Sequence, residues 1–306
     1  MMGPIGISGS TGLVGKAVLR ALDETGLQGR GLSRKNGGPD LGTATADDWA
    51  RRLDGCAGYV HLAALLPSAA KALRTDAEAA FETINVCGAV KAMEGFAKAG
   101  GRHFVFLSSA GLHGAVTQDA PLREDMPLIG AGPYLSSKQR AEDALGEVAD
   151  RTGVELTVLR PPAIYGAGAG EMVGRMISWV AAGRRIPVPT KENRRDMIGA
   201  DNIADLIGAL LKSNVTGTYL CRDRETVSTR ELVTEIGNAL GRPARFVSIP
   251  HIIAGPASHI PKVGGLLSRV LGNYEIDDSR LLKSCDWTPR HSMARQLSAL
   301  TTLCSK

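Results

Sequence analysis

A chain of 306 residues that is 43% hydrophobic and 22% charged can bury a large core, as one domain or as a domain with a smaller annex. The net charge of +5 is modest, and the Lys and Arg residues are dispersed and not interleaved with aromatics, so an anionic small molecule is the expected partner and nucleic acid is not. No apolar run approaches the roughly 20 residues of a membrane span, and the opening "MMGPIGISGS" lacks a basic segment followed by an apolar one. A cytoplasmic protein without membrane attachment is expected.

In chain order, "PIGISG" at 4 to 9 is a short apolar run followed by the helical stretch "KAVLRALDET" at 16 to 25. A second strand, "GRGLSRKN" at 29 to 36, precedes "GYVHLAA" at 58 to 64, the helix-length "INVCGAVKAMEGFAKAG" at 84 to 100 and the strand "HFVFLSS" at 103 to 109. The stretch "PYLSSKQRAE" at 133 to 142 is helical, and "ELTVLRPP" at 155 to 162 is again β-branched and apolar. Strands alternating with helices argue for an α/β fold: a doubly wound parallel sheet of Rossmann type, covered by helices on both faces.

After about residue 165 the rhythm becomes irregular, with Gly and Pro in "YGAGAGEMVG" and "RRIPVPTKENRRD", then helices at "DNIADLIGALLKS" and "STRELVTEIGNALG". The expected division is a dinucleotide-binding domain over 1–165 plus about 199–222, and a smaller α+β substrate lobe over 166–198 and 223–306. The cysteines Cys56, Cys87, Cys221, Cys285 and Cys304 are odd in number and form no C-x-x-C pair, so buried free thiols are expected, and no metal site.

The first chemical motif joins the first strand to the first helix: Gly9-Ser10-Thr11-Gly12-Leu13-Val14-Gly15. Glycines three apart let the backbone turn tightly and approach a pyrophosphate, whose charge the N–H groups of the helix N-terminus can hold. A purely structural Gly-rich turn is the alternative. Tyr134 and Lys138 stand at i and i+4, hence side by side on a helix. A free phenol has a pKa of about 10; a neighbouring Lys⁺ is expected to favour the phenolate and make Tyr134 a usable acid or base. A packed Tyr and a solvated Lys on a surface helix is the alternative.

The G-x-x-G-x-x-G spacing resembles the extended branch of the short-chain dehydrogenase/reductase superfamily, the NAD-dependent epimerase/dehydratase family. The resemblance continues through "HLAA" at 61 to 64, "NVCGA" at 85 to 89, "FLSSAGLHG" at 106 to 114, "YLSSK" at 134 to 138, "LRPPAIYG" at 159 to 166 and "NRRDMIGADNIADL" at 193 to 206. It implies Ser109, Tyr134 and Lys138 as the catalytic residues. It also implies cofactor contacts at Gly9, Thr11, Gly12, Leu13, Val14, Leu62, Ala63, Ala64, Pro161, Tyr134 and Lys138, the last orienting the nicotinamide ribose, with Asp40 and Leu41 near the adenine, Ser109 also on the substrate oxygen and Asn85 supporting the active-site helix. His61 is expected to be a satisfied strand residue. Where NAD enzymes usually place a carboxylate at the end of the second strand, this chain has Ser33, Arg34 and Lys35, which favours NADP(H) and leaves NAD(H) open.

The "NRRD" stretch resembles the sugar-nucleotide epimerases and reductases and implies Arg195 on the diphosphate of a UDP-sugar, with Arg269 as a second phosphate contact and His113 on the substrate side. Bidentate guanidinium chemistry suits phosphate. Trp287 and Pro289 fall in the tail of this group and are read as packing residues. Relatives that dehydrate carry Asp-Glu just after the catalytic hydroxyl; here Ala110-Gly111 follows. The resemblance therefore implies an NADPH-dependent reductase of a nucleotide-linked 4-keto sugar, of the UDP-4-keto-6-deoxy-N-acetylhexosamine type used for surface polysaccharide. The alternatives are a UDP-sugar 4-epimerase with bound NAD and, more remotely, a non-catalytic NADP sensor. A homodimer is compatible with the resemblance.

Overall fold

The computed structural model describes residues 3–73, 76–116, 120–250 and 270–300. In chain order its strands are β1 (Ile5–Ser8), β2 (Gly29–Leu32), β3 (Gly58–His61), β4 (His103–Leu107), β5 (Glu155–Arg160), β6 (Ala163–Tyr165), β7 (Arg185–Pro189), β8 (Met197–Gly199), β9 (Gly217–Leu220) and β10 (Arg245–Ile249). The helices are α1 (Leu13–Glu24), α2 (Ala46–Leu53), α3 (Pro67–Ala70), α4 (Ala77–Phe81), α5 (Gly88–Lys98), α6 (Pro133–Thr152), α7 (Glu171–Ala181), α8 (Ala200–Ser213), α9 (Thr229–Ala239), α10 (Ser279–Ser284) and α11 (Met293–Ser298).

Six strands form one wholly parallel sheet in the order β2-β1-β3-β4-β5-β9. β1 and β3 are buried at every position, which is why they are continuous apolar runs and do not alternate with polar residues. The pleat sends successive side chains to opposite faces. Val60, Val105 and Leu159 join Val18, Leu22, Ile203 and Ile207 of α1 and α8, while Tyr59, Phe104, Phe106 and Val158 join Trp49, Phe96 and Leu145 of α2, α5 and α6. The sheet is thus doubly wound. Its order reverses between β1 and β3, and the crevice at the carboxyl ends of those strands is where such a sheet takes a ligand.

The chain leaves the sheet after β5 and re-enters at its edge as β9. Between and beyond, β6 pairs with β8 and β7 with β10, and α7, α9 and α11 enclose a further core that includes Val173, Met176, Val233, Ile236 and Leu297. A buried polar knot ties this part to the sheet. Asp223 accepts hydrogen bonds from the Tyr165 hydroxyl, from Asn202 Nδ2 at 2.7 Å and from the Gly199 N–H at 3.1 Å. Gln296 Nε2 donates to the Tyr165 oxygen at 3.2 Å, and Asn202 Oδ1 accepts from the N–H groups of Arg290 and His291. Burial pushes the Asp223 carboxyl above its ordinary range, against the pull of those donors.

Cys56, Cys221 and Cys285 are buried free thiols as expected, but Cys87 is exposed, because it ends the turn that precedes α5 with its side chain outward. Trp287 packs into the core beneath α1 and α8. Among the described residues no helix is long and apolar enough to cross a membrane, and no cluster of His, Cys, Asp or Glu could hold a metal.

Candidate active site

The glycine loop closes tightly against the end of β3. Gly9 has φ +66°, and a Cβ there would lie 2.8 Å from the Ala63 nitrogen; one on Gly15 would lie 2.3 Å from the Gly9 carbonyl oxygen. The Gly12 N–H donates to Gly9 O at 2.9 Å and the Ala63 N–H to Ser8 Oγ at 3.3 Å, so the exits of β1 and β3 are stitched side by side at the switch point. Gly12 caps α1 without a side-chain hydrogen bond, and the first turn carries no acidic residue. Thr11 and Gly12 are exposed, Leu13 partly so, and Val14 is turned into the core. An uncapped helix N-terminus behind a loop with no room for Cβ atoms fits a dinucleotide pyrophosphate.

The end of β2 runs into a 3-10 turn, Arg34–Asn36, closed by a bond from the Gly38 N–H to Ser33 O at 2.8 Å. Ser33 Oγ is buried and has no hydrogen-bond partner among the described residues, whereas Arg34 and Lys35 are exposed. Arg34 lies 3.5 Å from Asp40, a pair open enough to solvent to be worth little to stability. Asp40 in turn accepts from the Gly42 N–H at 2.9 Å, and a Cβ on Gly88 at the start of α5 would come 2.8 Å from Leu41 O, so the Asp40–Leu41 loop is held from both sides. Leu62, Ala63 and Ala64 are partly exposed beyond β3.

Three elements converge beyond β4. Ser109 caps the 3-10 turn Ala110–His113, its Oγ accepting from the Gly111 N–H at 3.1 Å. The Ser108 and Ala110 N–H groups donate to Leu159 O and Pro161 O, so the exit of β4 runs along that of β5. Proline at the first helical position and Gly132 before it start α6, which Gly153 ends in the left-handed conformation. Tyr134 is in its first turn. Lys138 belongs to the buried stripe with Ala141, Leu145 and Val148, so the helix drives its ammonium inward to donate to Leu107 O at 2.7 Å, 4.6 Å from the centre of the Phe106 ring.

This packing sets the two titrations. Burial pulls Lys138 down to about 8, with the Glu142 carboxylate opposing. Burial pushes Tyr134 up to about 12, and the charge of Glu171 adds to the rise. The expected lowering of Tyr134 by Lys138 is therefore not what the chain's own groups produce. The ammonium is engaged by the Leu107 carbonyl and the Phe106 face, and desolvation of the half-buried phenol against the edge of Phe81 prevails. At neutral pH Tyr134 holds its proton.

Two side chains support these residues: Glu142, which the sequence did not single out, and Asn85, which was expected in that role. Glu142 stands one turn beyond Lys138; it accepts from the Ser108 hydroxyl and pairs with Arg160, whose Nε lies 3.1 and 3.2 Å from the two carboxylate oxygens. Arg160 Nη1 also meets His113 Nε2 at 3.1 Å. The i, i+4, i+8 spacing of Tyr134, Lys138 and Glu142 was the available signal. The second support is Asn85, in the π-turn Glu82–Cys87: it bonds both the N–H and the carbonyl of Leu65 and, through Nδ2, Ser137 Oγ, which itself donates to Tyr134 O. A π-turn often marks a functional site.

Other expected site residues lie elsewhere. His113 is 3% exposed and belongs to the buried Glu142–Arg160 cluster, not to an open substrate face; burial, then the Arg160 charge, keep it neutral. His61 is buried beside Tyr59 and held down to about 3, so it is no acid or base. Arg195 is buried, donates to Gly272 O at 2.8 Å and faces the Tyr274 ring, while Arg194 is exposed and pairs with Glu275. Arg269 lies outside the described residues.

A dinucleotide cradle at the switch point and a Ser-Tyr-Lys set beside it define an oxidoreductase-type enzyme of the nicotinamide-dependent α/β class. A model of the NAD dependent epimerase/dehydratase family matches residues 5–220, and the chain belongs to that family. A ceramide reductase of Caulobacter vibrioides is 27% identical over 304 residues, covering 94% of this chain and 86% of that protein. A UDP-glucose 4-epimerase of Vibrio cholerae is 24% identical over 219 residues, covering 70% of this chain and 66% of its own length. Among solved structures, a UDP-glucuronic acid 4-epimerase from Bacillus cereus in complex with NAD shares the fold, with a TM-score of 0.76, 16% identity and coverage of 99% of this chain and 100% of that one.

Proposed function

We propose that the protein reduces the C4 ketone of a nucleotide-linked 4-keto sugar, with NADPH as the favoured reductant and a UDP-4-keto-6-deoxy-N-acetylhexosamine as the substrate type. The observation that carries the reading is the convergence of Ser109, Tyr134 and Lys138 at the exit of β4 with a phenol that keeps its proton. NADPH, when bound, supplies the hydride. Ser109 Oγ and the Tyr134 hydroxyl hydrogen-bond the carbonyl oxygen, and Tyr134 delivers the proton as negative charge grows there. Lys138, one helical turn beyond Tyr134, is the residue assigned to stabilise the phenolate that results. Ala110 and Gly111 provide no acid or base to eliminate water, which argues against dehydration.

Ser33, with its buried unpartnered hydroxyl, and the exposed Arg34 and Lys35 offer donors and positive charge to a ribose 2′-phosphate. A 4-epimerase with NAD retained through the cycle is the second reading, favoured by the Vibrio relative and by the NAD-bound neighbour.

The test is NADPH oxidation by the purified protein supplied with UDP-4-keto-6-deoxy-N-acetylglucosamine, run beside NADH. Stoichiometric consumption of NADPH with formation of a 4-hydroxy sugar is expected. No consumption, with NAD bound in the preparation, turns the reading to the epimerase; turnover of a long-chain apolar ketone alone moves it to another substrate class.

A further inference from the structure

The loop between β6 and α7, "YGAGAGE", is rich in glycine, and Gly166 and Gly168 take positive φ values. The next positive φ in this loop, +51°, falls not on a glycine but on Glu171, the first residue of α7. A side chain retained in that backbone region is strained and persists where its contacts hold it. Its contact is specific. Glu171 Oε1 accepts from the Ser68 N–H at 3.1 Å, in α3, so the carboxylate reaches from the part of the chain outside the main sheet to the loop that follows β3. That same loop carries Leu65, which Asn85 ties to Ser137 and so to Tyr134.

We propose that Glu171 is a positioning residue, a latch that holds the β3–α3 loop to the start of α7 beside Tyr134 and places one negative charge over the mouth of the site. The pH arm of this inference rests on Tyr134 being the proton donor; the latch arm does not. The groups that act on the phenol are the ring of Phe81 from α4 and the carboxylate of Glu171 from α7, while the Lys138 ammonium on its own helix is turned to Leu107 O and the Ser109 hydroxyl at the exit of β4 to the Gly111 N–H. Glu171 is the charge among them that disfavours the phenolate, and it adds to the effect of burial.

Two substitutions separate charge from contact. Glu171→Gln keeps an acceptor for the Ser68 N–H and removes the charge, so the alkaline limb of the kcat/KM profile should move to lower pH with KM nearly unchanged. Glu171→Gly removes both and relaxes the backbone. It should give the same pH shift, a rise in KM of about tenfold, the scale of one charge-assisted hydrogen bond, and a Tm no lower than that of the wild type. It should also speed amide hydrogen exchange over residues 64–73 in the NADP-bound protein. That last measurement needs no substrate, so it tests the latch even if no 4-keto sugar is turned over. Unchanged exchange in Glu171→Gly overturns the latch, and an unmoved alkaline limb in Glu171→Gln overturns the charge effect.

Discussion

Two buried polar networks invite comparison. Within and beneath α6, Lys138, Glu142 and Arg160 are ionisable groups packed out of water, with Ser108 and His113 completing their bonds. At the joint where the chain leaves and rejoins the sheet, Tyr165, Asn202 and Gln296 are neutral, and the one carboxyl, Asp223, has its ionisation opposed by burial. A knot that merely joins two parts is served by neutral groups that satisfy one another. Charges are costly to bury and need good geometry to be tolerated. Here they lie directly behind the residues where a proposed reaction creates and removes charge.

The largest expected effect separates chemistry from support. Tyr134→Phe should lower kcat by about 10² to 10⁴, the range for a positioned acid, while dinucleotide affinity measured by fluorescence titration stays close to wild type. Wild-type turnover would remove Tyr134 from the reaction.

Glu142→Ala comes next and should show that the charged network serves both stability and activity. It strands the Arg160 guanidinium, at a cost of about 3–5 kcal/mol in denaturant unfolding, and frees Ser108 beside Ser109. Glu142→Gln keeps a hydrogen-bond acceptor and should fold better while losing its counterweight to the lowered pKa of Lys138, which would drop below about 8. A Lys138 titration, followed by NMR of the labelled side chain, that does not move in Glu142→Gln would reduce Glu142 to a packing role.

Asp223→Asn should cost stability alone, by about 1–3 kcal/mol for a disturbed buried hydrogen bond, with kcat per folded molecule preserved. Its pH signature is distinct. A carboxyl raised above the unfolded value of 3.8 gives a contribution that is full below that value and is lost as pH rises through the folded pKa. The variant should lack that decline in a Tm-against-pH series, and a decline of equal size would assign it to another group.

The smallest effect is at the surface. Arg34→Ala should raise KM for NADPH by about tenfold, as expected for one charge-assisted phosphate contact, and leave KM for NADH unchanged. Equal effects on both would reduce Arg34 to a solvated loop charge.

The main sheet was legible because its central strands are buried on both faces and so are rich in apolar residues without a break: "GYVH" and "HFVFL" need no alternation to be recognised. The glycine loop was legible because its spacing has a steric cause at Gly9 and Gly15. What failed was environment. Side-by-side placement of Tyr134 and Lys138 does not reveal that Lys138 belongs to the buried stripe of α6, where the Leu107 carbonyl engages it. Nor does "AGLHG" reveal that His113 turns inward to Arg160, or "GAGAGE" that the residue after the glycines bonds Ser68. Those contacts join residues distant in sequence, and helical or strand periodicity carries no record of them.

The deciding measurement is transfer of deuterium from NADPH labelled at its nicotinamide C4 on the transferred face, with the sugar product examined by NMR. One deuterium is expected at the sugar carbon that was the ketone, formed in Tyr134→Phe about 10² to 10⁴ times more slowly than in wild type. A product free of label, formed with nicotinamide retained on the protein and the sugar interconverted between C4 epimers, would contradict the reductase reading.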